Sequence, residues 1–398
     1  MKTSLKAKML VITNILGHPL TSRIHYLLRF LEEKKIDSRI FDISFYHEQQ
    51  SINHFLRSIQ SFLSKSISFS GNIRLPAFPI IGHEYSNIRR FMHFLYSFMI
   101  FLLAKLIKGY LDHDVIVAAD PFSAFIAASV KKTKTFIVYE DLDCFEDLYT
   151  GIRRIFISFF EKLALRRANL VISVSEPLLK RAQQLNPNCI LIPNGANLKS
   201  FLQPNRTRRE NFIVYAGSMD EWAGLRLVIK AFPSIKDKFP WIKMKIIGAG
   251  EEKNALEKLA KSLSIQNNVV FTGRLEYDQM AATLCRCYLG LAMFKPGKAA
   301  AYASPLKIFD YMAAGLPIIA TDIGDIGRLV KESNSGIAIK WNSKAFIGAT
   351  EEILAKPKLW SKFHDNGLEY VKKYDWNNLF NNWIQQIKIK ISDSKIQD

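Results

Sequence analysis

A repeated alternation of short apolar runs with helical lengths constrains this chain more than any other feature. Residues 9–14 (Met-Leu-Val-Ile-Thr-Asn) read as a buried strand, and further runs follow at 37–43, 115–119, 135–139, 170–174 and 189–192. The loop Gly17-His18-Pro19 and a helix through Leu28 and Leu31 separate the first two. Runs that are apolar on both faces and spaced by helices predict a parallel sheet covered on both sides, because antiparallel neighbours need only tight turns. The polar, basic stretch 197–211, with Pro204 and Arg206-Thr207-Arg208-Arg209, reads as a linker. Beyond it the pattern starts again, with strands expected at 212–216, 243–247, 269–271, 289–294, 317–320 and 336–339. At 398 residues the chain exceeds one typical core, so the expected class is α/β with two doubly wound domains in tandem.

Charge narrows the partners. The chain carries 55 Lys and Arg against 36 Asp and Glu, a formal net charge of +19, which favours an anionic ligand: nucleic acid, acidic lipid or a phosphorylated substrate. The excess is spread along the chain, with 26 basic and 16 acidic residues in 1–200. No zinc-finger, RNP or basic-zipper pattern accompanies it, so nucleic acid is not expected as a partner. Cys144, Cys189, Cys285 and Cys287 show no CxxC spacing, which argues against a disulfide framework and fits a reducing cytoplasm. The basic residues 1–8 lead into a strand, so no signal peptide is expected. Residues 88–108 break the rhythm, mixing aromatic residues with Arg89, Arg90, Lys105 and Lys108. The stretch falls short of the ~20 apolar residues of a spanning helix. It reads either as a core helix beneath the sheet or as a lip on an anionic membrane surface, which would place the protein peripherally on the inner face of the plasma membrane.

The densest chemical signal lies at residues 303–317. Ser304 suits a helix N-cap, Pro305 the first helical position, Gly315 the left-handed residue past the end, and Pro317 a stop. A helix start presents free N–H groups and partial positive charge, which favour phosphate. Lys307 sits in that first turn, where a cation opposes the dipole, so something anionic is expected beside it. Asp310, three residues on, shares its face and suits sugar hydroxyls. The alternative is a surface Lys–Asp pair on an ordinary helix. Three further loops, Gly217-Ser218-Met219, Gly248-Ala249-Gly250 and Gly273-Arg274, follow strand ends, the edge at which doubly wound sheets bind ligands. Turn chemistry explains each loop singly. Together with Ser304, Pro305, Leu306, Lys307 and Asp310 they form one candidate site for a phosphorylated ligand.

These residues resemble the retaining glycosyltransferases of the GT-B fold, glycosyltransferase family 4. The resemblance rests on Ile192-Pro193-Asn194-Gly195-Ala196-Asn197, Tyr215-Ala216-Gly217-Ser218, Ile247-Gly248-Ala249-Gly250-Glu251, Val270-Phe271-Thr272-Gly273-Arg274, the Ser-Pro-x-Lys opening at Ser304, and Tyr374-Asp375-Trp376. It implies two Rossmann-like domains facing a central crevice: an acceptor-binding domain over 1–200, a nucleotide-sugar-binding domain over 201–376, and a last helix, 377–398, crossing back. It also implies transfer of a hexosyl group from a nucleotide sugar, with retention at the anomeric carbon; no metal-ligand cluster is visible in the sequence, so no metal or other cofactor is expected. The expected acceptor is a lipid-linked saccharide or polysaccharide, entering near Gly17 and His18. Several family positions differ here. The usual pair of glutamates falls on Tyr302 and Asp310, and the usual Arg and Lys fall on Ser218 and Ala223, leaving Lys307 to carry the phosphate charge. A His often found near the reacting sugar falls on Leu142, leaving Glu140 and Asp143 as carboxylate candidates for catalysis beside Lys307; either also reads as an N-cap or structural hydrogen-bonder. Two other readings stand beside this one: a degenerate GT-B protein that binds donor or partner without turnover, and a basic nucleic-acid-binding scaffold.

Overall fold

A computed structural model describes residues 7–13, 22–42, 73–74, 113–130, 134–202 and 209–396. Gly17, His18, the stretch 88–108 and residues 203–208 of the expected linker lie outside them. The chain divides into two compact units, Met1–Ile192 together with Phe380–Asp398, and Pro193–Leu379.

The first unit holds a seven-stranded sheet in the order β3-β2-β1-β4-β5-β6-β7. Its strands are β1 Met9–Thr13, β2 Ser38–Asp42, β3 Ile73–Arg74, β4 Val115–Ala118, β5 Phe136–Asp141, β6 Leu170–Ser173 and β7 Cys189–Leu191. Every pairing is parallel. Strands β1, β4 and β6 are buried along their whole length, which is why their sequences lack an alternating polar face. The helix Arg23–Glu33 covers one face with Ile24, Leu27, Phe30 and Leu31, the spacing that makes one apolar stripe. The two-residue β3 was not expected from sequence, because two residues carry no readable period.

Strand β5 runs two residues past its expected end and takes Glu140 and Asp141 into the core. Each carboxylate has a partner there. Glu140 accepts from Arg23 Nε at 2.7 Å and from the Trp383 indole N–H. Trp383 belongs to the final helix, Trp376–Ile396, in the part that returns to this unit. Phe380, one turn earlier, lies 5.5 Å from the Phe30 ring and beneath the Arg23 guanidinium. Asp141 accepts from Ser173 Oγ at 2.8 Å, while burial pushes its carboxyl up to about 7.

The second unit holds a six-stranded parallel sheet in the order β10-β9-β8-β11-β12-β13. Its strands are β8 Phe212–Ala216, β9 Lys243–Ile247, β10 Val269–Gly273, β11 Leu289–Ala292, β12 Ile318–Thr321 and β13 Gly336–Ile339. All six fall where the apolar runs predict them, with ends shifted by at most two residues. The chain steps from β8 outward to β10, then returns to lay β11 against the other side of β8. That reversal opens a gap between the loops at the carboxyl ends of β8 and β11, the place where open α/β sheets bind ligands.

The Glu140 cluster predicts its own test. Glu140→Gln removes the carboxylate that faces the buried Arg23 guanidinium, a loss that should cost at most about 3–5 kcal/mol. Urea denaturation should show a lower midpoint with an unchanged slope.

Candidate functional site

The site is assembled by backbone before any side chain enters. At the carboxyl end of β8 the Gly217 N–H donates to Ile247 C=O at 3.0 Å, and the Met219 N–H donates to Ala249 C=O at 2.9 Å. The Gly248 N–H donates to Gly273 C=O at 2.8 Å, so three neighbouring strand ends are tied together. Gly217 and Gly248 have φ of +147° and +134°, and a Cβ on Gly248 would stand 1.9 Å from the Gly217 oxygen. A Cβ on Gly217 would stand 2.7 Å from Lys307 Nζ. These two glycines make room for backbone in one case and for an ammonium in the other.

The helix Leu306–Ala313 supplies that ammonium. Ser304 does not cap it, contrary to the expectation from sequence. Pro305 takes the N-cap position with φ −73° and ψ 129°, and no side chain caps the end. Extended backbone at Pro305 moves the start one residue on and leaves the buried Ser304 Oγ without a hydrogen-bond partner. The preceding carbonyl is fixed instead, with Asn194 Nδ2 donating to Ser304 C=O at 2.7 Å.

Lys307 inverts the usual behaviour of a lysine. Its residue is partly exposed, yet Nζ is buried and has no hydrogen-bond partner. The ammonium points at rings, with centroids at 3.9 Å for Tyr215, 5.2 Å for Phe294 and 5.9 Å for Trp222. Trp222 stacks on Phe294 at 5.4 Å and is itself 45% exposed, so it forms the outer wall of this cage. Burial lowers the Lys307 pKa to about 7, and ring contacts offset only part of the lost hydration. Asp310 is buried too, accepts from Tyr277 Oη at 2.8 Å, and is pushed up to about 7 by burial in spite of that bond. The two charges are therefore not the surface pair that spacing allowed. Tyr311 pins the reversal point, accepting the Ala216 N–H at 2.8 Å and donating to Leu291 C=O at 3.2 Å.

The other expected residues fall around or away from this cluster. Ser218 contributes its carbonyl, which accepts from Tyr215 Oη at 2.7 Å. Gly250 follows Gly248 in the same loop, and Pro305 and Leu306 are half-buried at the helix start. Gly273 ends β10, and Arg274 is exposed one residue beyond it. Glu140 and Asp143 lie in the first unit. Glu140 is held as described above, and the Asp143 carboxyl is raised to about 7 by burial and by the Glu161 charge. Also in that unit, Cys144, Glu146 and Glu161 bring their ligand-type atoms within 4.8 Å of one another, a grouping that sequence spacing did not reveal. Glu161 there accepts the Phe145 and Glu146 N–H groups and pairs with Arg181 at 2.7 Å, so its oxygens already serve the fold. Sequence reasoning missed Tyr277, Trp222, Phe294 and Tyr311. Aromatic residues at the ends of elements read as ordinary core until a buried cation is found among them.

Two parallel α/β units with this strand order define the fold as GT-B. Residues 199–370 match the family model described as glycosyl transferases group 1. The chain is similar to an uncharacterised glycosyltransferase of Methanocaldococcus jannaschii, 25% identical over 223 residues, covering 55% of this chain and 59% of that protein. It is also similar to a phosphatidyl-myo-inositol mannosyltransferase of Mycobacterium leprae, 24% identical over 293 residues and 71% of each chain. The crystal structure of Anabaena HepE in complex with UDP superposes with a TM-score of 0.66 at 15% identity, covering 97% of this chain and 100% of that one.

The buried ammonium should cost stability in a pH-dependent way. Folding lowers the Lys307 pKa, so the penalty is full below about pH 7 and fades as pH rises toward the unfolded value of roughly 10.4. Lys307→Met should raise the melting temperature more at about pH 6 than at about pH 10. Equal shifts at both values would mean that Nζ is solvated.

Proposed function

We propose that this protein is a glycosyltransferase that moves a hexosyl group from a nucleotide-sugar donor to an acceptor, with retention at the anomeric carbon. One observation carries the reading: Lys307 Nζ is buried in an aromatic cage with no counter-ion among the described residues, at the first turn of a helix whose end no side chain caps. A nucleoside diphosphate would supply the missing charge. Its departing phosphate would be met by Lys307 and the helix N–H groups in a poorly hydrated place, where fixed charges act strongly. Asp310 would accept from the ribose hydroxyls, with Tyr277 orienting its carboxylate. The Gly217 and Gly248 loops would admit the diphosphate close to backbone. This charge arrangement needs no metal or cofactor.

The match to glycosyl transferases group 1 over 199–370 supports the class, and UDP in the HepE structure supports a nucleotide-linked donor. The acceptor we infer is a lipid-linked saccharide or a polysaccharide, and the similarity to a phosphatidyl-myo-inositol mannosyltransferase supports the lipid-linked form. Work on such an acceptor would place the protein at the cytoplasmic side of a membrane. Asp143 remains the carboxylate candidate on the acceptor side. Glu140 is left out, since its oxygens are engaged.

Thermal shifts against a panel of nucleotide sugars test the class and the donor together. With the donor so identified, Lys307→Ala should lower kcat/KM by at least about tenfold, and unchanged kinetics would remove the phosphate role. Asp310→Asn should weaken donor binding in calorimetry while leaving the fold intact. Calorimetry also reads the proton. A diphosphate would raise the Lys307 pKa from about 7, so at about pH 8, where Asp310 is mostly ionised, binding should take up protons. A binding enthalpy independent of the buffer's ionisation enthalpy would contradict this. Activity should survive chelation by EDTA.

A further inference from the structure

The helix Gly151–Arg167 in the first unit carries a surface that donor chemistry does not explain. It buries only Glu161, Ala164 and Leu165 against its own unit. On the opposite side Ile152, Ile155, Phe156 and Phe159 are 71%, 69%, 54% and 61% exposed. Their spacing of three, four and seven residues places all four on one stripe. Scattered exposed apolar residues need no explanation, but a contiguous stripe on a 17-residue helix does.

Charge identifies what the stripe meets. Arg153, Lys162, Arg166 and Arg167 are exposed on the same helix and flank the stripe on both sides. The nearby acids are already engaged: Asp147 pairs with Arg154 at 3.0 Å, Glu161 with Arg181 at 2.7 Å, and Glu146 lies 3.8 Å from Arg181 and 4.0 Å from Lys162. Among the described residues, Arg153, Arg166 and Arg167 have no ion-pair partner. A second copy packed stripe to stripe would bring two basic rims together. An anionic bilayer offers both complements at once, an apolar interior for the rings and phosphate for the rim.

We infer that the exposed stripe of Gly151–Arg167 docks the first unit onto an anionic membrane surface. The helix lies in the interface with Ile152, Ile155, Phe156 and Phe159 among the acyl chains, and the arginines reach up to the headgroups. The inference stands apart from the donor site, because docking is measured without nucleotide.

The test is co-sedimentation of the full chain with vesicles of equal parts phosphatidylcholine and phosphatidylglycerol, and with vesicles of phosphatidylcholine alone. Binding is expected to the anionic vesicles only, and to weaken as salt rises. The double variant Ile155→Ser/Phe159→Ser should lower partitioning by at least about tenfold with an unchanged melting temperature. Arg166→Glu/Arg167→Glu should act in the same direction. Absence of binding by the unaltered chain would overturn the inference, as would a serine variant that binds as well as the parent. A serine variant that melts at clearly lower temperature, or that converts a dimer to a monomer in sedimentation equilibrium, would also overturn it, since the stripe would then be packed against protein.

Discussion

Parallel strand pairing is the constraint on which the rest of this molecule depends. A parallel neighbour requires the chain to cross back to its starting edge, so every strand must end in a loop on the same side of its sheet. In the second unit that rule gathers the turns after β8, β9, β10 and β11 along one edge, and the reversal at β8 and β11 separates them there. Gly217, Gly248 and Lys307 are remote in sequence, yet the rule leaves them as neighbours. The close backbone approach of Gly248 to Gly217 and the passage of Lys307 Nζ past Gly217 are consequences of that crowding.

Buried charge is handled in two opposite ways. In the first unit Glu140 accepts from both Arg23 and Trp383, which ties the end of the chain to the sheet. In the second, Lys307 is left without a hydrogen bond and Asp310 holds one from Tyr277, and burial shifts both towards neutrality. A buried carboxylate with its partners in place serves the fold, and a buried charge left unpaired costs stability. This difference separates Glu140 from Lys307 more clearly than residue type does. The stripe on Gly151–Arg167 is a third kind of incompleteness, apolar rather than ionic.

Much of the second unit was legible because its signals are local. Its six strands announce themselves as apolar runs, and the glycines after β8 and β9 mark turns that other residues cannot make. Lys307 was legible as a cation in the wrong half of a helix. Ser304 was misread, because propensity ranks serine above proline at an N-cap while the extended backbone of Pro305 decided the start. Glu140 and Asp143 could not be told apart, since a carboxylate's role depends on partners such as Trp383, 243 residues away in the chain.

The sequence by itself determined the architecture and the chemical character of the glycine loops at the strand ends, because strand periodicity, turn residues and a misplaced charge are properties of neighbours along the chain. Only the tertiary structure decided which charges were answered. It gave Glu140 its arginine and its indole, surrounded Lys307 Nζ with Tyr215, Phe294 and Trp222, and left one side of Gly151–Arg167 bare. Burial and pairing are set by contacts between distant segments, and no local pattern records them.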